Sequence, residues 1–157
     1  MKKIFLILAF TILFTVSCTK SEWTVSDYSP VDKVAPLSET APLSETIVYT
    51  PEGNPIDDYF DYYIGDASLL EGIEEYAYFT SSGTAVAEAG VFKVKDEATA
   101  DALLEAFSVR CENLAAIYEN YSPEDTARAQ NMQKGSFDDI VWFVATSDND
   151  AVISVIK

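Results

Sequence analysis

The stretch "EAGVFKVKDEATADALLEAF", Glu88 to Phe107, changes its hydrophobic period in mid-course. Up to Lys95 it has the two-residue period of a strand, with Phe92 and Val94 on one side and Lys93 and Lys95 on the other. Beyond Asp96, placed to cap a helix, Leu103, Phe107, Cys111, Leu114 and Tyr118 recur at helical spacing and form one buried stripe. A strand joined to a long helix by one polar turn cannot bury its apolar sides alone. It demands further strands and helices, and so limits the chain to mixed architectures.

The neighbouring segments supply them. "EYAYFTS" reads as a strand, with Tyr76, Tyr78 and Thr80 opposite Ala77 and Phe79, and "SSGTA" as the loop that follows. "DDIVWFVATS" is apolar on both faces from Ile140 to Ala145 and belongs inside the sheet, while "NMQKG" is a weaker strand. "IDDYFDYYIGD" carries Ile56, Tyr59, Phe60 and Tyr63 at helical spacing, with Gly65 to end the helix. Ser68 with Glu71, Ser122 with Pro123 and Asp125, and Ser147 with Asp150 mark three more helix starts. The predicted fold is α+β: a small, largely antiparallel sheet with helices packed on one face, over residues 56–157. Gly90, inside a strand, marks a bulge or a close backbone contact.

The opening residues have a different purpose. Lys2 and Lys3 precede an apolar run from Ile4 to Val16, shorter than the roughly 20 residues a membrane-spanning helix needs, then Ser17 and Cys18. This pattern resembles a bacterial lipoprotein signal, with residues 1–17 removed and Cys18 acylated. The resemblance implies an extracytoplasmic protein anchored to the membrane by lipid at Cys18. Residues 18–55 are rich in Ser, Thr, Pro and Glu and contain "APLSET" twice, Ala35–Thr40 and Ala41–Thr46. They read as a flexible tether, which if extended at about 3.1 Å per residue reaches on the order of 90 Å. With Cys18 acylated, Cys111 has no disulfide partner, and on the buried stripe it reads as a small core hydrophobe.

Loss of residues 1–17 removes Lys2 and Lys3, leaving 8 basic against 26 acidic residues, a net charge of −18. Nucleic acid is therefore not an expected partner, because phosphate backbones need clustered Lys and Arg. The chain has no histidine, which excludes the ordinary catalytic triad and histidine-based metal sites. "SFDDI" and "SDNDA" lack the spacing of a calcium loop, so neither a metal nor a cofactor is implied.

"IGDASLLEGIEEYAYFT", "AEAGVFKVKDEATADALLEAF", "NYSPED" and "DDIVWFVATSDNDAV" together resemble a family of small bacterial lipoproteins known as domain of unknown function 4358. The resemblance implies a lipoprotein signal, a variable spacer and a compact domain, and no activity that could be transferred.

Candidates for a ligand site remain. Asp57, Asp58 and Asp61 are interleaved with four aromatics, the furnishing of many sugar sites, although an amphipathic helix with its acids in water explains them better. Lys93 and Lys95 share a strand face and could receive a carboxylate, although pairing with the surplus acids is the plainer account. The expectation is a non-enzymatic, surface-tethered module that binds a small ligand or an envelope protein. The alternatives are a carboxylate-dependent enzyme acting on wall glycans and a purely structural surface component.

Overall fold

Ile140 to Ala145 is a six-residue strand with every residue buried, and a strand without a polar face must be covered on both. The computed structural model describes residues 23–157 and shows how that cover is assembled. The signal segment and Cys18 lie outside the described residues.

Five strands form one antiparallel sheet: β1 Thr46–Tyr49, β2 Ile73–Ser81, β3 Glu88–Val94, β4 Gln133–Phe137 and β5 Ile140–Ala145. Their order across the sheet is β1-β2-β3-β5-β4, which places β3 at the centre. Among the described residues the helices are α1 Pro30–Val34, α2 Phe60–Tyr63, α3 Glu97–Tyr118, α4 Pro123–Gln130 and α5 Asn149–Ile156, with 3-10 turns at 35–39, 57–59 and 67–72. The α+β class and the antiparallel sheet agree with the expectation.

Residue parity sorts the two faces. Tyr76, Tyr78, Phe92, Val141 and Phe143 lie toward α3, whose Leu103, Phe107, Cys111 and Leu114 fill the space above them. Phe107 stacks on Phe143 with ring centroids 4.5 Å apart. Gly90 explains how the rings fit, since a Cβ there would stand 2.5 Å from Phe92 Cε2 and 2.8 Å from Phe143 Cε1. Its role is a close contact between backbone and aromatic rings.

The opposite parity, with Ala77, Phe79, Val91, Trp142 and Val144, faces a second core closed by Val34, Leu43, Val152 and Ile156. Helices therefore cover both faces rather than one, because β3 and β5 are apolar at consecutive positions and leave no face to water. Half of this second cover comes from residues expected in the tether. Val34 and Leu43 are both 0% exposed, and β1 pairs with β2 from Thr46↔Ser81 to Tyr49↔Tyr78. The folded body thus includes Pro30 to Tyr49, and the tether expectation over residues 18–55 does not hold there. Burying Leu43 alone is worth about 1.5–3 kcal/mol, which a Ser- and Pro-rich composition does not disclose.

The helix caps follow the sequence with two changes. Asp96 accepts from the Thr99 amide at 2.8 Å and starts α3, and Ser122 with Pro123 starts α4. Asp148, not Ser147, caps α5, and Asp66, not Ser68, caps the turn before β2. In both places an Asp one or two residues from the expected serine caps instead: Asp148 accepts from the Ala151 amide at 3.0 Å, and Asp66 accepts from the amide of Ser68 itself at 2.9 Å.

Candidate functional site

Glu88 opens β3 on the parity of Phe92, so its carboxylate points under α3 into the aromatic core. Only 3% of the residue is exposed. Such burial is costly unless the charge is paired and hydrogen-bonded, and here it is both. The Tyr78 hydroxyl donates to Oε1, and Arg110 Nε, from the middle of α3, donates to Oε1 at 3.1 Å and Oε2 at 3.3 Å. Burial pushes the Glu88 carboxyl up, against the charge of Arg110 and its hydrogen bonds to Tyr78 and Arg110.

The same guanidinium lies over two aromatic rings, 5.3 Å from the centroid of Tyr63 and 5.7 Å from that of Tyr62. These tyrosines are the last two residues of α2, and they meet edge to face at 5.0 Å. Tyr63 also packs on Tyr49 and Tyr78, and burial, then a hydrogen bond with Tyr49, pushes its hydroxyl up to about 12. A cavity of about 260 Å³ lies at this point, walled by Tyr62, Tyr63 and Tyr118, with Thr80, Glu88 and Arg110 supplying polar groups.

The loop between β2 and β3 forms another wall and is held from behind. Asp125 Oδ1 accepts from the Val86 amide at 2.7 Å, and its carboxylate also accepts from Ser122 Oγ and from Arg128 Nη1. Burial raises the Asp125 pKa, but these hydrogen bonds and the Arg128 charge outweigh it and hold the group below its ordinary value. The carboxylate bonded to Ser122, the cap of α4, is thus also the anchor of the cavity loop.

Wider depressions exist elsewhere, about 560 Å³ along β4 beside Trp142 and about 450 Å³ between α4 and the start of α5. Neither is floored by a buried ion pair. Among the described residues no group of three or more Cys, Asp and Glu side chains is arranged to hold a metal ion.

The residues singled out in the sequence fall mostly outside this cavity. Asp57, Asp58 and Asp61 are exposed on the short turns before and within α2. Their stretch contributes its aromatics instead: Tyr62 and Tyr63 to the cavity wall and Phe60 to the core. Lys93 lies on the opposite sheet face, where Nζ donates to the Ser26 carbonyl at 2.7 Å and stands 3.8 Å from Asp139. Lys95 lies beyond the strand end and donates to the Glu71 carbonyl at 2.6 Å. The two lysines therefore do not form one open face. Cys111 is 3% exposed, and burial, with the nearby Glu88 charge, pushes its thiol up to about 12.

Sequence reasoning passed over Glu88 and Arg110. The signal was present, because Glu88 is a charge on the packed parity of β3 and Arg110 stands three residues after Phe107, beside the buried stripe.

Residues 70–146, from the turn before β2 to just past the end of β5, match the family model described as Domain of unknown function (DUF4358). Glu88 and Arg110 fall inside the matched span, and Tyr62 and Tyr63 before it. No curated protein and no solved structure matches the chain. Among the described residues no helix is long and apolar enough to cross a membrane.

Proposed function

We propose that this chain, with its domain of unknown function, is a bacterial extracytoplasmic lipoprotein whose folded body binds a small ligand in the cavity over Glu88 and Arg110. The observation that carries the reading is the buried Glu88–Arg110 pair at the base of an aromatic-walled cavity. Binding sites are mostly pre-formed hollows with aromatic walls and a few fixed polar groups, and here those groups are locked by three hydrogen bonds before any ligand arrives.

The module is non-enzymatic on this reading. Glycoside hydrolysis employs two carboxylates flanking the bond, and among the described residues Glu88 is the single carboxylate lining the cavity. Attachment is through acyl chains on Cys18, supported by the charged, apolar and small-residue order of Lys2 to Cys18. The body then stands closer to the membrane than a tether of 18–55 would place it, since structure is already established at Pro30.

Two measurements test the proposal. Mass spectrometry of the membrane fraction should find an acylated peptide beginning at Cys18, lost in Cys18→Ser. Thermal denaturation of the full chain against sugars, amino acids, carboxylates and divalent ions should give a shift with one class. A ligand at a hundred times its dissociation constant stabilises by about 2.7 kcal/mol, enough to move the midpoint by several degrees. No shift with any class, together with unchanged Tyr62 resonances, would reject the cavity as the site.

A further inference from the structure

We infer that the ligand of this cavity is an uncharged, hydroxyl-bearing ring the size of one sugar residue, an inference that rests on the cavity being the binding site. Charge balance makes the first argument. Among the described residues Arg110 is the single cation lining the cavity and Glu88 the single anion, and they are already in contact. A ligand carboxylate would set a second anion against buried Glu88 with one guanidinium between them, and two carboxylates sharing a site disfavour each other's ionised form. A ligand ammonium fares no better. At Tyr62 and Tyr63, the rings that would attract it, it would meet the like charge of the Arg110 guanidinium, 5.7 Å and 5.3 Å from their centroids.

A neutral ligand meets neither obstacle and finds complementary groups. Glu88 engages Arg110 through Nε, and Nη1 and Nη2 make no hydrogen bond with the described residues, so both remain as donors. Thr80 and Ser81 also line the cavity, and a hydroxyl can both donate and accept. A sugar ring has hydroxyls at its edge and an apolar C–H face, which fits a site where polar groups meet tyrosine rings.

Size completes the argument. About 260 Å³ is less than the roughly 300–1,000 Å³ of pockets for drug-sized ligands, so the cavity holds one ring. Tyr62, Ile117 and Tyr121 are 73%, 67% and 75% exposed around or beside the mouth. They offer apolar surface on which the next residues of an oligosaccharide would lie.

The experiment is equilibrium binding to the purified full chain by titration calorimetry and tyrosine-resolved NMR. The probes are glucose, N-acetylglucosamine and its dimer, with acetate, glutamate and choline as charged competitors. Wild type is compared with Tyr62→Ala, whose exposed side chain can be removed without opening the core, and with Arg110→Lys. At least one saccharide is expected to bind, to weaken tenfold or more in Tyr62→Ala, and to resist displacement by acetate or choline. The dimer binding more tightly than the single sugar would place the extra ring on the exposed apolar surface. Tyr62-dependent binding of acetate, glutamate or choline without any saccharide would overturn the ligand class while leaving the cavity as the site. No binding by any probe, or binding indifferent to both substitutions, would overturn the cavity and the ligand class together.

Discussion

Arg110 Nε stands 3.1 Å from Glu88 Oε1 and so ties the middle of the long helix to the first residue of the central strand. The two side chains are 13% and 4% exposed, which makes the contact a buried ion pair and sets the cost of breaking it.

Removing one partner should be far worse than removing both. Arg110→Met leaves Glu88 buried without its counter-charge and is expected to cost about 3–5 kcal/mol in urea denaturation. The double variant Glu88→Leu, Arg110→Met should recover most of that loss, because no unpaired charge remains. Equal destabilisation of the single and double variants would show that the pair is not what holds α3 to β3.

Glu88 should also leave a mark on the pH dependence of stability. Burial raises its carboxyl above the ordinary value of 4.5 despite Arg110, so the folded chain takes a proton there more readily than the unfolded chain. Its contribution is fully present below pH 4.5 and is lost as pH rises through the raised value. The stability of wild type minus that of Glu88→Gln should therefore fall from pH 4 toward pH 8. A difference that is flat across this range would contradict the raised value.

The N-terminal segment should behave as core. Leu43→Ala is expected to cost about 2–5 kcal/mol, as for other fully buried leucines. Glu39→Ala, at an exposed position a few residues earlier, should change stability by less than about 0.5 kcal/mol. Thermal midpoints of the two variants suffice, and matching midpoints would return this segment to the status of a spacer.

Gly90→Ala tests the packing of the rings. The added Cβ would meet Phe92 Cε2 at 2.5 Å, so the aromatic layer must shift, at a cost of about 1–3 kcal/mol. Near-ultraviolet circular dichroism should change with it, and an unaltered spectrum with unaltered stability would mean that the layer yields freely.

Much of the fold was legible because it is written in local patterns. The period change at Asp96, the Ser122-Pro123 start and the unbroken apolar run Ile140–Ala145 each depend on residues a few positions apart, and each corresponds to α3, α4 and β5 as found. The site was less legible. Asp57, Asp58 and Asp61 drew attention as acids among aromatics, yet the aromatics of that stretch line the cavity and the acids stay in water. Glu88 and Arg110 are 22 residues apart and meet only when α3 folds back over β3.

The repeated hexapeptide draws the boundary between the two kinds of information. By itself the sequence determined the strand and helix periods, the caps and the acidic surface, since these follow from side-chain chemistry and short-range geometry. It assigned both copies of "APLSET" to one tether, because their composition is the same. In the folded chain Ala35–Glu39 is a 3-10 helix with Leu37 half-buried, whereas the second copy is a run of turns that buries Leu43 completely and delivers Thr46 to β1. Identical residues take different structures because their neighbours in space differ, and only the tertiary structure decides which leucine meets the uncovered face of the sheet.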